Sequence, residues 1–119
     1  MTMDIELITP AELEAKLYEL AHHCYAADKL YIDGDEEFQI LEDNRKPYLA
    51  LLVEAQEGKT TAEKERKALI SPEYGSWLEG YQAARKNSRQ LRVERDNLSR
   101  LFNTCRSILS SKNNERRRA

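Results

Sequence analysis

Sheet proteins need residues that this 119-residue chain scarcely has. It carries four glycines and three prolines, and it lacks any Asn-Gly hairpin pair. Strands and tight turns are therefore excluded as its main fabric, because both rely on those residues and on β-branched runs. Aromatics make up 8%, and no apolar run approaches the roughly 18 residues of a membrane span. The N-terminus has no signal-peptide core. These absences lead to the expectation of a soluble, cytoplasmic protein. With two cysteines, Cys24 and Cys105, no disulfide framework exists. Both fall on apolar helical positions and read first as buried free thiols, with a disulfide or metal role as the alternative.

Catalytic patterns are missing as well. There is no glycine-rich phosphate loop, no H-E-x-x-H, no C-x-x-C and no context for a nucleophile elbow, so no enzyme is expected. His22, His23 and Cys24 are adjacent on a helix and point about 100° apart, so they cannot share one ion. Asp33, Asp35, Glu36 and Glu37 lack the alternating ligands of a calcium loop and read as a turn followed by acids at a helix N-terminus. No metal or cofactor is expected.

What the chain has in quantity is charge, 34% of its residues, set in helical periods. A fully helical fold is expected, with an arm over 1–8. Thr9, Pro10 and Glu12 form a capping box opening a helix over 9–33, whose stripe is Leu13, Leu17, Leu20, Cys24, Ala27 and Tyr31. Asp33-Gly34-Asp35 reads as a turn into a second, antiparallel helix over 35–57 with Phe38, Leu41, Arg45, Tyr48, Leu52 and Ala55 on one side. Pro47 should kink or break that helix. A short helix over 60–70, capped by Thr60, leads to Ser71 and Pro72, which open a long helix over 72–110. A polar basic tail over 111–119 completes the chain and should fray.

The long helix organises the chain. Tyr74, Trp77, Tyr81, Ala84, Ser88, Leu91, Arg95, Leu98, Phe102, Cys105 and Leu109 recur at alternating three- and four-residue steps, which places them on one side. A helix of about 60 Å is too long for a small domain to cover. Its second half, with Leu91, Arg95, Leu98, Phe102, Cys105 and Leu109, is therefore expected to project and form a coiled-coil-like oligomer seam. Arg95, inside the seam, needs a partner from another helix, since Glu94 and Asp96 sit on other faces.

Net charge is −2 overall, yet the two parts of the chain differ in sign. From Arg85 onward there are eleven Lys and Arg residues against three acids, whereas the first 84 residues hold eight bases against eighteen acids. Such asymmetry suits an anionic partner; neutralisation of one half by the other, within a chain or between subunits, is the alternative. Arg85, Lys86, Arg89, Arg92, Arg100, Arg106 and Lys112, with Arg116, Arg117 and Arg118, are the expected phosphate contacts. Tyr74, Trp77 and Tyr81 read first as core and second as base-stacking surfaces.

The stretch Ala62-Glu63-Lys64-Glu65-Arg66-Lys67-Ala68-Leu69-Ile70-Ser71-Pro72-Glu73-Tyr74, followed by Trp77-Leu78-Glu79-Gly80, Ala84-Arg85 and Arg106-Ser107, resembles small helical phage and prophage proteins similar to the UvsY-type recombination mediators. The resemblance implies a ring-like homo-oligomer that binds single-stranded DNA and helps to load a RecA-like recombinase. It also implies that the basic row forms the DNA surface and the seam builds the oligomer. A contrasting reading is a protein-interaction module, such as a small phage-encoded inhibitor or assembly factor.

Overall fold

The computed structural model describes residues 8–118, so the expected arm over 1–8 falls almost wholly outside the described residues. The fold is all-α: α1 (Pro10–Glu54), α2 (Thr61–Leu69) and α3 (Pro72–Arg118), with no strand among the described residues. The helix starts follow local chemistry. The Glu12 amide donates to Thr9 Oγ1 at 3.2 Å, and the Thr9 amide donates to Glu12 Oε2 at 3.3 Å, closing a reciprocal cap. Thr60 caps α2 by accepting from the Glu63 amide at 3.2 Å, while the Glu63 carboxylate accepts from the Lys59 amide. Ser71 Oγ accepts from the Tyr74 amide at 3.3 Å and donates to the Ala68 carbonyl at 2.7 Å. That single hydroxyl ends α2 and starts α3, with Pro72 at the first helical position.

Two expectations are corrected here, and a third, the kink or break at Pro47, is narrowed. Helices expected over 9–33 and 35–57 are one 45-residue helix, α1, running through Asp33, Gly34 and Asp35 without a turn. Gly34 is buried and keeps negative φ, so it is a packing position and not a turn. Pro47 does not break the helix. It is exposed, and the carbonyl four residues back belongs to exposed Asp43, where water can replace the missing amide. The long helix does not stop at 110 but continues to Arg118, so residues 111–118 are helical rather than frayed. Three arginines in its last turn complement the negative end of the helix dipole.

The chain divides into two compact units. In the first, α1 up to Tyr31 packs with α3 from Leu91, burying Leu13 and Leu20 on one helix and Cys105 on the other. Burial of each leucine contributes about 2–5 kcal/mol by the cost of truncation to alanine. The second unit spans Ile32–Gln90. There the partners run in opposite order: Asp35 meets Ser88, Glu42 meets Tyr81, and Tyr48 meets Glu73. The first step is seven residues forward on α1 and seven back on α3, one heptad of an antiparallel pair.

Candidate nucleic-acid interface

The seam residues of α3 were expected to face another subunit. Cys105 is completely buried, and Leu91, Arg95, Leu98, Phe102 and Leu109 are half-buried, all within the unit that α3 makes with α1. Within a single chain the seam residues are thus partly covered, in the unit that α1 and α3 form.

Arg95 is also resolved within the chain. Its guanidinium lies 4.2 Å from the centroid of the Tyr31 ring, and its Nη2 and Nε donate to Asp96 Oδ1 at 3.1 and 3.3 Å. The partner from another helix is the aromatic face of Tyr31 on α1, while Asp96, expected to sit on the wrong face, also pairs. The long arginine side chain curls back far enough to overcome the divergence of adjacent positions.

The aromatics form a core cluster in the second unit. Trp77 stacks on Tyr48, Tyr74 and Tyr81 with centroid separations of 5.7, 5.9 and 5.2 Å. Phe38 leans on Tyr81, and Arg45 lies over the same ring. Tyr74 and Tyr81 are each only 7% exposed, so they present no platform for unpaired bases. The Tyr81 hydroxyl donates to Glu42 Oε2, and this hydrogen bond, with burial second, raises its pKa above the usual phenol value. Ser88, 6% exposed, donates to Asp35 Oδ1 at 3.1 Å, which satisfies the one polar side chain in this part of the seam.

Outside these contacts lies the basic row. Arg85, Lys86 and Arg89 are exposed in the second unit; Arg92, Arg100, Arg106, Arg116, Arg117 and Arg118 are exposed in the first, where Lys112 is half-buried. None of the ten forms an ion pair with another described residue. Within the first unit the two helices carry opposite charge. Residues 10–31 hold four acids and two bases, and residues 91–118 hold eight bases and three acids.

One grouping was not anticipated from the sequence. Arg106, Ser110, Asn113 and Arg117 follow at steps of four, three and four, and with Leu109 and Asn114 they line a shallow open groove on α3. Two guanidinium forks, a hydroxyl and a carboxamide on one face are the donor types that hold phosphate oxygens. The 4-3-4 spacing was available to sequence reading, but the helix was expected to stop before Asn113.

Fold and surface together define an all-α protein built on two long helices, one of them strongly cationic over its last third. No family model matches the chain, and no curated protein or solved structure matches it significantly.

Proposed function

We propose that this protein is a non-enzymatic accessory factor that binds the phosphate backbone of single-stranded DNA through the C-terminal third of α3. The observation that carries the reading is the set of exposed cations on that helix with no ion pair to another described residue, together with the groove of Arg106, Ser110, Asn113 and Arg117. A cluster of this kind gains affinity by releasing counterions from a polyanion. Because Tyr74 and Tyr81 are buried in the aromatic cluster, the reading rests on phosphate contacts, which are independent of base sequence. The choice of single-stranded DNA follows the resemblance to recombination mediators, and so does the RecA-like recombinase as partner. The reading takes the protein as self-associating, so that weak contacts add across copies.

The test is fluorescence anisotropy of a labelled single-stranded oligonucleotide at low salt. Binding is expected, and Arg106→Ala with Arg117→Ala should weaken it about ten-fold. No binding at low salt would set the reading aside in favour of a protein-interaction module. That second reading has its own support in apolar side chains turned to solvent, Ile70 at the α2–α3 junction being 79% exposed.

A further inference from the structure

The groove on α3 lies where the chain enters α1. The Arg95 guanidinium stands over the Tyr31 ring, so these two residues are level, and only opposite directions keep the two stretches of the first unit side by side. Counting one residue forward on α3 for each one back on α1 sets Leu20 level with Arg106 and Leu13 level with Asn113. Burial agrees, since Leu20 is 2% exposed and Cys105, next to Arg106, is fully buried. Leu13 is 1% exposed, although it belongs to the first turn of α1. With Thr9 as cap, half-buried Ile8 and Leu13 hold the two positions of a hydrophobic staple, a pairing that fixes the angle at which a chain enters its helix. The described chain therefore begins at the end of α3 that carries Arg106, Leu109, Ser110, Asn113 and Arg117.

The sequence of the preceding seven residues matches that groove. Met3-Asp4-Ile5-Glu6-Leu7 alternates apolar and acidic residues. Extended backbone sets alternate side chains on opposite sides, which would bring Asp4 and Glu6 to one side about 6.6 Å apart. The groove offers Arg106 and Arg117 as cations, Ser110 and Asn113 as neutral donors, and Leu109 as apolar surface. Neither arginine is ion-paired with another described residue. Over residues 106–118 α3 carries five bases and a single acid, Glu115, so the charge beside the groove has the sign that an acidic segment needs. Reach is sufficient, because seven extended residues span about 23 Å and the rise from Arg106 to Arg117 is about 16.5 Å. We infer that residues 1–7 occupy this groove, with Asp4 and Glu6 on the donors that phosphate oxygens would otherwise use. The arm then competes with a polyanion for the end of α3 and holds the protein in a state of lower affinity. That competition rests on the DNA reading proposed above; the docking itself does not.

A charge-swap cycle in the full chain tests the docking without oligonucleotide. Asp4→Lys with Glu6→Lys should lower the midpoint of urea unfolding, and so should Arg106→Glu with Arg117→Glu. All four substitutions together should recover most of the loss, because the pairs form again with their signs exchanged. Losses that simply add overturn the docking. Competition is read by anisotropy: Asp4→Asn with Glu6→Gln should tighten binding of a labelled single-stranded oligonucleotide about five-fold. Glu19→Gln with Asp28→Asn removes the same charge from exposed positions on α1 and should have a much smaller effect. Affinity that is unchanged in the arm variant, or raised equally in both, overturns the competition. If no chain binds at low salt, the DNA reading fails, while the urea cycle still decides the docking.

Discussion

Arg95 and Tyr81 show how single polar groups are accommodated at the α1–α3 contacts. Arg95 occupies a seam position where a charge is costly unless matched, and it is matched by the Tyr31 ring and the Asp96 carboxylate. Arg95→Ala should lower stability by about 0.5–2 kcal/mol in urea unfolding; an unchanged midpoint would show that the ring contact contributes nothing. Tyr81 gives a pH signature. Its folded pKa is raised above the unfolded value of about 10. The stabilisation is therefore complete below that value and is lost as pH rises through the folded pKa. In an ultraviolet titration Tyr81 should ionise above the usual phenol value, and Glu42→Gln should lower its pKa. A Tyr81 pKa that Glu42→Gln leaves unchanged would contradict the hydrogen bond.

At the scale of the element, the helix starts were legible and the continuity of α1 was not. Thr9 with Glu12, Thr60 with Glu63, and Ser71 with Pro72 are local signals, and the hydrogen bonds they make lie within three residues. Gly34 and Pro47 are local signals too, costing about 1 and 3 kcal/mol in a helix interior. Here Gly34 is buried within the helix, and Pro47 is exposed where water can replace its missing amide; sequence spacing alone cannot weigh either. Pro47 permits a direct check. Its exposed position leaves room for an amide, so Pro47→Ala should raise stability by about 1–3 kcal/mol. A lower melting temperature would mean that the proline shapes a contact the helix needs.

For the whole molecule, the readable part of the candidate site was its charge and the hidden part was its geometry. The bias of the C-terminal residues toward Lys and Arg follows from composition. That Arg106, Ser110, Asn113 and Arg117 share one helical face depends on α3 reaching Arg118, which the lack of apolar residues after Leu109 concealed. The aromatics show the opposite case, since their heptad register pointed to the core and they are found there. What the first unit exposes to a partner is cationic surface on α3, acidic side chains on α1 and a few apolar side chains.

The dependence of oligonucleotide affinity on salt tests this most directly. Log affinity for single-stranded DNA should fall linearly with log salt concentration. Arg116→Ala, Arg117→Ala and Arg118→Ala together should reduce the slope by about 2, at roughly 0.7 for each phosphate no longer neutralised. Binding that ignores salt, or a slope that the triple substitution leaves unchanged, would contradict a phosphate grip by the end of α3.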